Sequence, residues 1–318
     1  MTVMADHGVR RASGSGGVDG EPAKPDVERV IVRPMTEADL PPMRDSTRAA
    51  FDDLRVRLGT RIEPDGRRVR GSDSGAMLVR QLLEIDAGGA WVAVLDGQVC
   101  GAALAGLREG LWYLAHLHVR PGIQGHGVGR RLLAAALSHG ANARGRLLHS
   151  SLDPQAMRCY QRAGFALEPA LQAVGVVRRG SLPTVDRVRL GDTGDLDLVA
   201  EVDRVQRGAA HGPDFEVLLR AGAQLLVLDG GSRRGYALIE AGEPKTVAAT
   251  DVSAAVTLLW AALAEGSGEV SVQVLRADQQ WALDVVHQAG LGLMPIGPLG
   301  RQGDTGPLRP YLPHTGVL

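Results

Sequence analysis

The 318-residue sequence predicts an α/β protein made of two similar halves. Three observations predict it. Apolar runs with strand-like and helix-like spacing alternate in the order strand, two helices, three strands, helix, strand, helix between residues 29 and 178. A weaker version of that order recurs between residues 187 and 318. A glycine-rich loop, "VRPGIQGHGVG" at 119–129, leaves a strand and opens a helix in the first half only.

In the first half, "VIVRP" reads as a short strand, and Thr36 with Asp39 three residues on forms a capping-box pattern for the helix that follows. The charged, Gly- and Pro-containing segment 52–75 reads as the turn between two helices, the second being "AMLVRQLLEI". "AWVAVLDGQVCGAALAGL" reads as a hairpin about "LDGQ", and "LWYLAHLHV" as a third strand. A helix over Arg130–His139 follows the loop. "RLLHSSL" is the next strand, and "DPQAMRCYQRAGF" a short helix ending at Gly164.

The second half repeats each piece. "DRVRLGDTGDLDLVAEVDRVQ" matches the entry strand and first helix, and "AQLLVLDGGSRRGYALIEAG" the hairpin. "KTVAATDVSAAVTLLWAALAEG" matches the third strand and its helix, and "EVSVQVLRADQQWALDVVHQAGL" the last strand and helix. Duplication with divergence is the simplest account, with "VRRGSLPTVDR" as the joint. The second copy has "ATDVSAAV" where the first has "GIQGHGVGRR", so it lacks the glycines.

Composition narrows the function classes. Apolar residues at 44% supply a core, and 22% charged residues argue against a wholly disordered chain. A net charge of -1 gives no overall basic field, so a general nucleic-acid binder is excluded. Cys100 and Cys159 alone do not make a disulfide framework, and a reducing cytoplasm is the default expectation. Residues 1–28 read as a disordered tail with no signal-peptide stretch, and no apolar run is long enough to span a bilayer, so no membrane partner is expected.

Glycines at 125, 127 and 129 allow successive backbone amides to converge on an anion, and the helix that follows adds its free N-terminal donors. A pyrophosphate suits such a site. The Walker loop is excluded because no lysine is present, and the dinucleotide fingerprint because Arg130 stands where glycine is needed.

Gln124, Gly127 and Gly129 give Q-x-x-G-x-G between "LHVRP" and "RRLL", which resembles the coenzyme A loop of the GNAT acetyltransferase superfamily. "SSLDPQAMRCYQRAGF" resembles that family's closing strand, helix and Tyr-x-x-x-Gly-Phe signature. The resemblance covers 29–178. The stretch 187–318 resembles, more loosely, the degenerate partner of tandem members. It implies two tandem domains, each a mixed, mostly antiparallel sheet flanked by helices. It also implies an N-acetyltransferase that uses acetyl-CoA as cosubstrate and needs no metal.

In such a fold the strand Leu111–Val119 splays from the strand near 146–152, leaving a slot where pantetheine lies as a pseudo-strand. The resemblance implies main-chain contacts from Leu117, His118 and Val119, with the pyrophosphate on the amides of Gln124, Gly125, His126, Gly127, Val128, Gly129 and Arg130. Tyr160 occupies the family's acid position, facing the coenzyme sulfur. His116 is the expected base, since a neutral imidazole suits proton removal from an amine. His118 shares its face in a regular strand, and a bulge here would separate the two. An H-x-H pair could also bind zinc, but no third ligand is apparent.

Asp153 stands before Pro154 and reads as a helix cap. Cys159 reads as a buried helix residue, and direct attack by the acceptor is favoured over an acyl-cysteine route. Arg55, Arg57, Arg61, Arg67, Arg68 and Arg70, partly balanced by Asp52, Asp53, Glu63 and Asp65, read as a solvated face. The acceptor is expected to be a small-molecule or peptide amine, and an Ala- and Val-rich second half could offer an oligomer interface. A non-catalytic acyl-CoA-binding or scaffold protein is the other reading.

Overall fold

The structure, a computed structural model, describes residues 27–59 and 73–318. The first 26 residues, and Arg61, Glu63, Asp65, Arg67, Arg68 and Arg70, lie outside the described residues. Val27 and Glu28, assigned above to the tail, already belong to a 3-10 turn, Val27–Arg29.

The first half runs β1 (Ile31–Pro34), α1 (Leu40–Leu58), α2 (Asp73–Ile85), β2 (Ala90–Leu95), β3 (Gln98–Arg108), β4 (Leu111–Val119), α3 (Val128–His139), β5 (Gly145–His149), α4 (Pro154–Arg162) and β6 (Ala166–Val176). The Thr36–Asp39 signal is real: the Thr36 amide and hydroxyl both donate to the Asp39 carboxylate at 2.8 Å. The Arg33 guanidinium grips both of its oxygens at 2.7 Å.

The second half repeats the order as β7 (Val188–Gly191), α5 (Leu196–Gln206), α6 (Pro213–Arg220), β8 (Gln224–Gly230), β9 (Arg233–Glu240), β10 (Glu243–Ala249), α7 (Val252–Glu265), β11 (Glu269–Arg276), α8 (Gln280–Gln288) and β12 (Gly292–Gly303). A two-residue strand, β13 (Tyr311–Leu312), is added at the end.

The sheets do not divide where the sequence repeat does. One has the order β1-β2-β3-β4-β5-β12-β6-β11, the other β13-β10-β9-β8-β7. β12, from the second half, is inserted between β5 and β6 of the first, antiparallel to both. The β4–β5 pairing is parallel and the other pairings are antiparallel. Gly297 makes the insertion possible, because a Cβ there would come within 1.7 Å of the Ser150 carbonyl oxygen.

One apolar cluster joins the halves, with Leu104 and Tyr113 of the first packed among Phe215, Tyr236 and Leu318 of the second. A buried polar network crosses the same boundary. The carboxylate of Asp214 accepts from Arg108 at 2.6 and 3.0 Å, from Gln81 at 2.7 Å and from the Tyr113 hydroxyl at 2.7 Å. Arg108 also reaches Asp86 at 2.7 Å. No helix among the described residues is long and apolar enough to cross a membrane.

Candidate active site

β4 pairs with β5 only from Leu111 to Leu114. Beyond that the two strands part, and residues 115–119 face a cavity of about 1080 Å³ on that side. Its walls are α1, the glycine loop with the start of α3, the segment 149–163, and residues 294–297 of β12. Leu117, His118, Val119, Gln124, Gly125, Gly127, Gly129, Arg130, His116 and Tyr160 all line it. Ten of the twelve sequence-predicted residues therefore line one slot, and His126 and Val128 do not.

The glycine loop presents a row of free donors. Gly125 and Gly127 have φ of 83° and 82°, the left-handed region that glycine enters without steric cost. No acceptor among the described residues takes the amides of residues 124–130, and the first helical bond runs from the Arg131 amide to the Gly127 carbonyl at 3.0 Å. A Cβ on Gly125 would meet nothing within 4 Å, and one on Gly127 only the Arg130 guanidinium at 3.9 Å, so the cradle is open. Gln124 fixes it to the strand: its side-chain amide donates to the Val119 carbonyl at 2.7 Å. His126 is exposed, with Nδ1 2.9 Å from the Gln124 carbonyl oxygen, while the side chain of Val128, the first residue of α3, is buried in the apolar core.

His116 and His118 stay together. A bulge does interrupt β4, but its extra residue is Ala115, since Leu104 pairs with His116 and Ala105 with Leu114. The irregularity precedes both histidines, so they keep the common face of a regular strand. Nε2 of His116 lies 2.9 Å from Nδ1 of His118, whose Nε2 lies 3.0 Å from the Ser46 hydroxyl on α1. Thr47 Oγ1 sits beside the contact, at 3.2 and 3.4 Å. Burial pushes the His116 pKa down to about 4, and burial with the neighbouring ring drives His118 well below its usual value. Both rings are neutral at pH 7. One consistent proton arrangement has His116 Nε2–H donating to His118 and His118 Nε2–H donating to Ser46, which leaves the Nδ1 lone pair of His116 free.

Tyr160 is buried on α4, yet its hydroxyl has no hydrogen-bond partner among the described residues and the side chain lines the slot. Burial holds its pKa above the usual value, so it carries its proton at neutral pH. Asp153 is the cap the sequence indicates, accepting from the Gln155 amide at 2.8 Å. Burial raises the Cys159 thiol pKa.

Arg57 is exposed and balanced by Asp53 as expected, yet it also reaches the site. It bonds Asp53 at 2.7 Å on its own helix, then crosses the slot to Asp153 at 3.1 Å and Gln124 at 3.4 Å. Arg55 pairs locally with Asp52.

Two contributions were invisible in the sequence. His149 ends β5 and lines the slot, with no bonding partner for its buried Nε2 and a pKa lowered by burial to about 4. Met294, Pro295 and Ile296 form part of the wall only because β12 enters the first sheet. Neither position carries a motif. Among the described residues no group of three or more His, Cys, Asp or Glu is placed to hold a metal ion.

Comparison with known proteins bears on the family and the fold. The family model described as "Acetyltransferase (GNAT) family" matches residues 60–165. The chain carries a GNAT-family domain. No curated protein sequence matches it. A Pyrococcus horikoshii structure described as an acetyltransferase candidate is similar over 96% of both chains, with TM-score 0.70 and 16% identity. A GCN5-related N-acetyltransferase from Sphaerobacter thermophilus aligns over 88% of this chain and 96% of its own, with TM-score 0.56 and 19% identity. A tandem GNAT protein from the clavulanic acid biosynthesis pathway aligns over 86% and 98%, with TM-score 0.52 and 13% identity. At such identities these likenesses show the fold, two tandem GNAT-like units.

In the second GNAT-like unit both halves of the corresponding slot are filled by the chain itself. The N-terminus of α7, counterpart of the loop-capped α3, is capped by Asp251, whose carboxylate accepts from the Ala254 amide at 2.9 Å. The edge of β10, counterpart of β4, is paired by β13, with Val247 opposite Leu312 and Ala248 opposite Tyr311. A carboxylate stands where the first copy offers free amides, and a strand stands where the first copy has a gap.

Proposed function

We propose that the chain is an N-acetyltransferase that moves the acetyl group of acetyl-CoA to a primary amine by direct attack in a ternary complex. In this reading residues 29–178 form the catalytic unit and 187–318 the degenerate copy. The observation that carries it is the row of unbonded amides at 124–130, opening onto the same slot as Tyr160 and His116.

The residues fit the cosubstrate. The amides of Gln124, Gly125, His126, Gly127, Val128, Gly129 and Arg130, with the dipole of α3, would hold the pyrophosphate. The backbone of Leu117, His118 and Val119 would pair with the pantetheine arm in the gap beside β4. Tyr160 directs a protonated hydroxyl into the slot and donates to the departing sulfur. His116 accepts a proton from the attacking nitrogen at Nδ1, and its Nε2–H can pass on to His118. Asp153 and Arg57 tie the two walls of the slot together.

The first test is calorimetric titration with acetyl-CoA, with thiol release measured on a panel of amines. One site per chain with turnover supports the reading, whereas binding without turnover on any amine makes the chain a coenzyme-binding module. A folded wild-type protein, free of copurified coenzyme, that binds no acetyl-CoA overturns it.

A further inference from the structure

A proton taken from the acceptor has to leave His116 again, and the side chains behind the ring offer it a way out. Nε2 of His116 meets two groups there, His118 Nδ1 at 2.9 Å and Thr47 Oγ1 at 3.2 Å. Thr47 Oγ1 is also 3.4 Å from His118 Nδ1, so it reaches the nitrogens on both sides of the shared proton. Ser46 Oγ closes the far end of the chain, 3.0 Å from His118 Nε2. The two hydroxyls are neighbours on α1 but differ in their surroundings. Ser46 is buried, whereas Thr47 is only half-buried. Neither is among the described residues that line the slot, so the open part of Thr47 faces solvent outside it.

Charge decides between storing the proton and passing it on. A second proton on His116 makes an imidazolium, and burial disfavours that form, lowering the pKa to about 4. His118 is disfavoured further, because the neighbouring ring adds to the effect of burial. A neutral imidazole carries one N–H and one lone pair. It can therefore take a proton at Nδ1 and give one up at Nε2 with no net charge. A hydroxyl does the same through a single oxygen. The branch through His118 to Ser46 leads a proton into the interior, and the branch to Thr47 leads it to water.

We propose that Thr47 is the outlet of a proton path that runs from the acceptor nitrogen through His116 to solvent. This inference rests on the acetyltransferase reading. As the nitrogen bonds to the acyl carbon and the C–S bond breaks, one N–H proton passes to His116 Nδ1. The Nε2 proton passes to Thr47 Oγ1, directly or by way of His118 Nδ1, and the Thr47 hydroxyl proton goes to water outside the slot. The departing sulfur takes the Tyr160 proton. Both imidazoles end neutral, and the second N–H of the amine stays on the amide product. Once the product has left, the same path run in reverse, with water in the slot, returns His116 to its starting tautomer, and Tyr160 recovers its proton from water. Thr47 acts on the substrate only through His116 and is a positioning residue.

Thr47→Val keeps the branched shape and removes the hydroxyl, and Thr47→Ser keeps the hydroxyl. Single-turnover rates at saturating acetyl-CoA are measured on benzylamine, tyramine, spermidine, kanamycin and glycinamide, and the best acceptor is then followed in mixtures of H2O and D2O. Acetyl-CoA affinity is measured separately by calorimetry. The wild-type rate should fall with deuterium content along a bowed line, because several protons move in one step. Thr47→Val should be slower by about tenfold and follow a straight line, with affinity held within about twofold. Thr47→Ser should restore both the rate and the bow. A straight line in wild type, a bow that persists in Thr47→Val, or a Thr47→Val rate within about twofold of wild type overturns the proposal. So does a matching loss of acetyl-CoA affinity in Thr47→Val, which would make Thr47 a part of the slot's shape. Wild-type protein that turns over none of these amines overturns the acetyltransferase reading itself, and this inference with it.

Discussion

Nε2 of His116 and Nδ1 of His118 are 2.9 Å apart, and the contact exists because the β4 bulge falls at Ala115, before both residues. The pair passes on to Ser46 at 3.0 Å. A buried neutral chain of this kind fixes which nitrogen of His116 carries the proton. His116→Gln should lower kcat by about 10²-fold or more with acetyl-CoA affinity unchanged. Because the ring stays neutral down to about pH 4, kcat/KM for an uncharged amine should be level from pH 5 to 8. A rise centred near pH 6.5 over that range would show that His116 titrates as an ordinary imidazole.

Tyr160 offers a clean substitution, since its hydroxyl has no hydrogen-bond partner among the described residues and Tyr160→Phe removes one oxygen from a packed ring. Stability should change little, and kcat should fall about 10²-fold because the leaving thiolate loses its donor. Coenzyme affinity should hold within about twofold. Single-turnover rates compared with calorimetry separate the two effects, and an unchanged rate would remove Tyr160 from the chemistry.

One acetyl-CoA should bind per chain, and Gly127→Asp should abolish it. The variant places a carboxylate on the open cradle at a φ of 82°, which costs about 1 kcal/mol of backbone strain and leaves the core untouched. Asp251→Ala in the second unit should cost about 1 kcal/mol by loss of the α7 cap. It should create no second site, because β13 still pairs with β10. A stoichiometry of two in Asp251→Ala would show that the carboxylate alone closed that site.

The glycine loop with its open amides was readable in the sequence because glycine spacing is itself the physical requirement for converging amides. The Asp153 cap was readable for the same reason, a short polar side chain just before Pro154. Arg57 was half readable: its local pair with Asp53 forms at 2.7 Å, whereas its reach to Asp153, 96 positions away, leaves no mark on the sequence. His149 and the β12 wall could not be read at all. Strand exchange between repeats leaves each local pattern intact and changes only which strand lies beside which.

Asp39 carries the clearest acid dependence in the first half. Its hydrogen bonds to the Arg33 guanidinium lower its pKa from 3.8 to about 2, against the opposing effect of burial. A depressed carboxylate stabilises the fold above the unfolded-state pKa and loses that contribution as the pH falls through the folded value. The contribution at neutral pH is at most about 2 kcal/mol. Urea unfolding of wild type and Asp39→Asn should therefore differ at pH 7, and the gap should close between pH 4 and 2. An equal gap at both ends of that range would mean that the substitution destabilises the fold for a reason other than charge.

Asp214 tests whether the halves are one folding unit. It is fully buried on α6 and receives Arg108, Gln81 and Tyr113, all from the first half. Asp214→Ala leaves the Arg108 guanidinium with Asp86 and the Leu107 carbonyl oxygen, both on one nitrogen, and leaves the Tyr113 hydroxyl without its partner. Removing one partner of a buried ion pair typically costs about 3–5 kcal/mol, more than a surface pair ever contributes. Since β12 also threads the first sheet, the loss should not be confined to the second half. Calorimetric scanning should show a single transition shifted down by several degrees, and acetyl-CoA affinity should fall at the temperature where that transition begins. Two separated transitions, with coenzyme binding surviving the first, would show that the catalytic slot stands without the second unit.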